Sequence, residues 1–363
     1  MTHTTYAERG TLADLTAYRA EESARAGSGP RAAHDLSSNE LALPPLPSVL
    51  AGVQSELPRL GRYPDPTARE LTEAVAGHLR VAPDQVAVGP GSAGVLQQIL
   101  LALCGPGDEV VYAWPGFDAY PLLVAVAGAT SVTVPLTGSG HHDLDALAAR
   151  VTGRTKVVIL CSPHNPTGTV IERERLHAFL RSLPEHVVTV LDEAYVEFER
   201  CGDPPGLPDV LRPAGRTVVL RTFSKAYGLA GLRVGYAAGP REVMATVRKT
   251  AIPFGVTRLA EHAAILSLGN GAELRGRLAS VAAARSELAL RLRELGLPVL
   301  PSQANFLWLP IPSHAASFGR AAAAAGVRVR AVQGQGVRVS VGAPEAHDML
   351  LAALGQWARG MRF

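Results

Sequence analysis

Only three lysines occur among the 35 lysines and arginines, namely Lys156, Lys225 and Lys249, so chemistry that needs a primary amine has three candidates. Lys225 stands out for its surroundings, RTFSKAYGLAGLRVGY (221–236), at the exit of a strand-like run. Two other strand-like runs end in polar groups, CSPHNPTGT (161–169) and LDEAY (191–195). Each has a plainer reading alone: NPTG is a good turn, DEAY a helix cap beside an acid, SK a strand exit. Taken together, the plain readings require three polar sets to reach one rim by chance. The chemistry that uses all three is that of a cofactor with a ring nitrogen, a phenolic oxygen, an aldehyde and a phosphate. Lys225 supplies the amine that condenses with the aldehyde, its pKa depressed by cationic and aromatic surroundings. Asp192 faces the ring nitrogen and holds it protonated, making the ring an electron sink, while Asn165 and Tyr195 hydrogen-bond the ring oxygen. The phosphate is met by Ser224, Arg233 and the free N–H groups of Ser92 and Ala93, where GPGSAG (89–94) opens a helix.

These residues need a scaffold that carries strand ends to one place. Apolar runs at 85–89, 108–113, 131–136, 156–162, 186–195 and 215–224 alternate with helical periodicity at 68–79, 94–103, 119–129, 143–151 and 172–183. That alternation predicts an α/β fold with a mostly parallel central sheet covered on both faces, which binds ligands beyond the carboxyl ends of its strands. Residues 1–35 read as polar and irregular, and SSNELALPPLPSVL (37–50) as extended. After residue 258 a long helix near 273–295, the strands FLWLP, VRVRA and GVRVSVG, and two further helices predict a smaller α+β domain. The expected division is 46–258 for the large domain, with 1–45 and 259–363 forming the small one.

Composition narrows the function. The 363 residues are 47% hydrophobic and 18% charged with a formal charge of +3, enough to bury a core and too diffuse for a nucleic-acid stripe. No apolar run reaches the roughly 18 residues of a membrane span. The N-terminus has no basic start or apolar stretch of a secretory signal. Three cysteines make neither a disulfide framework nor a metal-ligand spacing, so the expectation is a cytoplasmic protein without a metal.

The motifs resemble those of the pyridoxal-phosphate-dependent aminotransferases of fold type I, in the histidinol-phosphate and aromatic aminotransferase branch. The resemblance covers about 36–350 and rests on SSNE (37–40), RYPDP (62–66), GPGS (89–92), WPGFDAYP (114–121), NPTG (165–168), DEAYVEF (192–198), the Lys225 segment, ANFLWL (304–309) and VRVSVG (337–342). It implies a three-layer fold and pyridoxal 5'-phosphate as cofactor. The implied reaction is a ping-pong transfer of an amino group between an L-amino acid or histidinol phosphate and a 2-oxo acid. Lys225 is implied as the base that moves the proton, Phe117 as a stacking partner of the ring, and Arg338 as the contact for substrate carboxylate or phosphate. Arg330 is implied as a weaker second anion contact. Tyr63 is expected to reach the cofactor phosphate of a neighbouring subunit, which implies a homodimer.

The departures from that family fall on the substrate side. Ser162-Pro163-His164-Asn165-Pro166 replaces the usual Asn-Pro-Asn-Asn-Pro, with His164 expected to be a loop side chain turned to solvent. Ala93-Gly94 replaces a common acidic pair, and Tyr18-Arg19-Ala20-Glu21 is the best counterpart of a substrate-covering segment, which makes Tyr18 a candidate substrate contact. An unusual amino acid of a specialised pathway therefore stands beside the aromatic amino acids and histidinol phosphate as a donor. A decarboxylase or lyase on the same cofactor and a non-catalytic cofactor-binding protein are the competing classes. A carboxylate held by Arg338 disfavours the first and the complete residue set disfavours the second.

Overall fold

The computed structural model describes residues 10, 12, 33–201 and 216–359. Seven strands form the larger sheet: β2 (Val86–Gly89), β3 (Glu109–Trp114), β4 (Thr130–Pro135), β5 (Thr155–Cys161), β6 (Val188–Asp192), β7 (Thr217–Thr222) and β8 (Gly235–Ala238). Their order is β2-β8-β7-β6-β5-β3-β4. All neighbours are parallel except β8, which runs antiparallel to both β2 and β7.

Alternation along the central strands explains why both faces are dry. Val110, Tyr112, Ile159, Val190 and Leu220 point to one face, where Val95, Leu96 and Ile99 of the helix Gly91–Leu103 cover them. Val111, Val158, Leu160, Leu191 and Val219 point to the other, against Leu147, Leu176 and Phe179 of the helices Leu144–Ala149 and Arg173–Ser182. Apolar side chains on both sides of a strand produce the continuous hydrophobic runs seen in the sequence.

A second sheet has the order β1-β10-β11-β9, from β1 (His34–Leu36), β9 (Phe306–Leu309), β10 (Val327–Val332) and β11 (Gly336–Ser340). Three expectations change. The stretch 37–50 is not extended throughout, because Pro47 sits at the start of a helix, Pro47–Glu56, where its missing N–H costs nothing. His34 and Asp35, read as irregular, form with Leu36 a parallel edge strand on β10. Helix Arg258–Gly269, which the sequence reading did not separate, packs against Pro47–Glu56 and Arg69–Leu79.

Candidate active site

Of the adjacent parallel strands, β5 and β6 end level, Cys161 opposite Asp192, and β7 runs two residues past Leu220, the partner of Asp192. Asn165, Asp192 and Lys225 are therefore delivered to one rim by neighbouring strands. Asp192 is buried, accepts a hydrogen bond at 2.7 Å from the Tyr120 hydroxyl on Oδ2, and takes the Ala194 N–H at 3.2 Å on Oδ1. Burial raises its pKa to about 6, against the opposing pull of the Tyr120 hydrogen bond. A carboxyl in that position gains most from a cation placed against it.

Lys225 Nζ lies 5.7 Å from the Tyr195 ring centroid and donates to the carbonyls of Ser38 and Asn39, both at 3.1 Å. Its pKa is lowered to about 7. Loss of hydration is the leading cause, with the positive charges of Arg338 and Arg233 adding to it and Glu40 and Asp192 opposing. The expected direction is right, but its main source is desolvation rather than the neighbouring cations and rings. Tyr195 is buried edge-on against Phe306, and its hydroxyl accepts from Asn39 Nδ2 at 3.0 Å.

An anion cradle lies beside the lysine. Ser224 Oγ accepts from Thr222 Oγ1 at 3.0 Å and from Arg233 Nη1 at 3.1 Å. A Cβ on Gly91 would stand 2.4 Å from Arg233 Nη2, and one on Gly235 would stand 2.4 Å from the Ser92 nitrogen. The bare backbone at these two glycines thus lets the guanidinium and the N-terminal turn of Gly91–Leu103 approach. The N–H groups of Ser92 and Ala93 fall in the first turn, where no intrahelical carbonyl is available.

On the opposite wall, Arg338 of β11 is buried, donates to Asn165 Oδ1 and the Ser37 carbonyl, and lies over the Phe306 ring at 5.6 Å. Arg330 is bound to Asp118 Oδ2 at 2.6 Å. Phe117 is partly buried and meets Tyr120 edge-on at 5.4 Å. Tyr63 lies on the surface, 81% exposed, with its ring 5.1 Å from Phe254. Tyr18 lies outside the described residues.

His164 contradicts its expectation. It is 1% exposed, donates from Nε2 to the Pro115 carbonyl at 2.9 Å, and packs edge-on against His142 at 4.5 Å. The two loops that carry Phe117 and Asn165 close over it, so it has no route to solvent. Sequence reasoning also missed Tyr120, Asn39, Asn305 and Ser340. Asn39 is held in a left-handed conformation (φ 54°) by bonds to Ser340 Oγ and from Asn305 Nδ2. The only signals were the SSNE, WPGFDAYP, ANFLWL and VRVSVG segments in which the four stand.

An amine of lowered pKa, a buried acid awaiting a cation, donors at a phenolic position and an anion cradle fit a phosphorylated pyridine aldehyde. The model of the family described as aminotransferase class I and II matches residues 33–354.

The chain belongs to that family.

The aminotransferase is 47% identical over 351 residues to an aromatic amino acid aminotransferase of Streptomyces avermitilis, spanning 97% of each chain. With the aromatic amino acid aminotransferase of Nocardia farcinica it shares 48% over 319 residues, 87% of this chain and 89% of that one. Its fold superimposes on histidinol-phosphate aminotransferase from Sinorhizobium meliloti, solved with pyridoxal-5'-phosphate, with a TM-score of 0.88 and 30% identity over 100% and 99% of the two chains. Aspartate aminotransferase of Thermus thermophilus, solved with maleate, gives 0.78 and 27% over 90% and 91%. The enzyme is thus a pyridoxal-phosphate-dependent aminotransferase of fold type I. Among the described residues no helix is long and apolar enough to cross a membrane.

Proposed function

We propose that the aminotransferase takes aromatic L-amino acids as donors, passing the amino group to a 2-oxo acid. The observation that carries this reading is Arg338, a buried guanidinium aimed at Asn165 beside the lysine, which suits an α-carboxylate by planar, paired donation. The names of the relatives at 47% and 48% identity support the aromatic side chain.

In this reading the cofactor, when bound, supplies an electron sink for the bond that breaks at the substrate Cα. Lys225 would hold the aldehyde through its amine and, once released, would act as the general base that takes the proton from the substrate Cα. Asp192 keeps the ring nitrogen protonated. With its Oδ1 engaged by Arg338, Asn165 presents its amide nitrogen to the ring oxygen, together with the Tyr195 hydroxyl. Ser92, Ala93, Ser224 and Arg233 hold the phosphate, and Phe117 faces the ring. Arg338 grips the donor carboxylate, Arg330 stands next to it, and Tyr18 belongs to the covering segment.

The same proposal includes a homodimer to which Tyr63 contributes a phosphate contact across the interface. The exposure of Tyr63, Leu60, Ile252 and Phe254 on one chain supports it, since large apolar side chains at a free surface are costly when grouped. It also includes a cytoplasmic location and the division into 46–258 against 1–45 with 259–363, supported by the two separate sheets.

The test is a half-reaction. Purified enzyme loaded with cofactor is mixed with phenylalanine, tyrosine, histidinol phosphate, glutamate or a guanidino amino acid, and the cofactor's visible band is followed. Fast loss of the band with the first two supports the proposal; conversion by histidinol phosphate, glutamate or the guanidino compound alone rejects it. Lys225→Ala is expected to show no conversion with any donor while still binding cofactor without the covalent link.

A further inference from the structure

Arg330 on β10 and Arg338 on β11 are opposed residues of antiparallel strands. The alternation that sends Val327, Val329, Ala331, Val337 and Val339 into the small-sheet core sends both guanidinium groups to the other face, toward the site. Like charges directly opposed across a strand pair repel, so the pair calls for anions. The partners of Arg338 include two neutral oxygens, Asn165 Oδ1 and the Ser37 carbonyl, which a substrate carboxylate can join or replace. Arg330 is closed instead on a carboxylate of the protein itself, Asp118 Oδ2 at 2.6 Å. Asp118 follows Phe117 directly, on the loop between β3 and the helix Tyr120–Val126, so its charge is carried at the mouth of the site, next in sequence to the aromatic assigned to the ring.

We propose that Asp118 is a specificity-determining residue: as the built-in counter-ion of Arg330 it closes the second anion contact and restricts donors to those with a single anionic group. A donor with a phosphate or second carboxylate on its side chain must either displace Asp118 from Arg330 or lie within a few ångströms of its negative charge. Both cost binding; the Arg330 side chain is 18% exposed and that of Asp118 39%, so solvent reduces the cost without removing it. An aromatic side chain incurs neither cost. This deepens the donor reading above and rests on Arg338 as the carboxylate contact.

The test uses ligands that cannot react. Isothermal titration of the cofactor-loaded enzyme with 3-phenylpropionate and with 3-phosphonopropionate gives a ratio of dissociation constants. The wild-type enzyme is expected to favour the phenyl compound. Asp118→Asn is expected to move the ratio at least tenfold toward the phosphonate, Asp118→Glu to keep the wild-type ratio, and Arg330→Gln in the Asp118→Asn background to cancel the shift. A wild-type preference for the phosphonate overturns the proposal whether or not any variant folds, and so does a shift below tenfold in Asp118→Asn that retains the cofactor band. Because neither ligand carries an amino group, failure of aromatic donors in the half-reaction rejects the donor reading alone, and an unmoved ratio rejects only the role of Asp118.

Discussion

The Tyr120 hydroxyl donates to Asp192 Oδ2 at 2.7 Å, joining the first residue of the helix Tyr120–Val126 to the end of β6 inside the protein. Without that bond nothing opposes burial except the Ala194 N–H and the charge of Lys225, and the Asp192 pKa climbs above its value of about 6. Tyr120→Phe is therefore expected to leave part of Asp192 protonated near neutrality, unable to pair with a cationic ring nitrogen. A hydrogen bond to a charged group is worth roughly 1.5–3 kcal/mol, so cofactor affinity should fall on the order of tenfold or more. Because the defect is protonation, it should be larger at pH 6 than at pH 8; fluorescence titration of the apoprotein with cofactor at the two pH values decides, and a loss equal at both rejects the account.

Gly235 opens β8 with its Cα hydrogen against backbone. An added methyl would meet the Ser92 nitrogen at 2.4 Å, the Gly91 carbonyl carbon at 2.7 Å and the Arg221 oxygen at 2.9 Å, none of which can rotate away. Gly235→Ala should push the first turn of Gly91–Leu103 off the cradle, weakening cofactor binding by about tenfold or more and costing about 1–3 kcal/mol as overpacking does. Gly153→Ala, where a methyl meets nothing within 4 Å, is the control. Cofactor titration and urea melts of both variants check the contrast.

Burial lowers the His164 pKa from 6.5 to about 4. The folded protein therefore binds fewer protons than the unfolded chain between those values. The stability this histidine contributes is fully present above pH 6.5 and is lost as pH falls toward 4. At pH 5 the loss is about 2 kcal/mol. His164→Asn should lose less stability than wild type on going from pH 7.5 to pH 5. Asp192, whose raised pKa gives the opposite slope in part of that range, is common to both proteins and cancels. Urea unfolding at the two pH values measures it; equal slopes would mean that His164 is solvated.

The residues legible in sequence are those whose chemistry is written locally. Lys225, Asp192, Asn165 and Arg233 each follow a strand whose apolar run announces the exit, and parallel neighbours bring such exits together without further information. Tyr120, Asn39 and Ser340 are different. Tyr120 reaches Asp192 across 72 positions and Asn39 reaches Ser340 across 301, so each is an ordinary polar residue until the fold closes. His164 fails for a related reason: a histidine in a proline-rich loop reads as exposed, and only the Pro115 carbonyl arriving from another strand end makes it interior. The helix beginning at Pro47 was hidden because the prolines before it dominate the local pattern, although the last of them is well placed to start a helix.

Lys225, Ser224 and Arg233 all stand between the end of β7 at Thr222 and the start of β8 at Gly235, a connection clamped at its close by Ser92. Arg330 and Arg338, by contrast, ride on the other sheet. Substitutions at Arg330 and Arg338 thus act from the small sheet without touching that connection, while Asp118, the counter-ion of Arg330, meets them from the loop after β3. An insertion within that connection would displace Ser224, Lys225 and Arg233 together, in a single step.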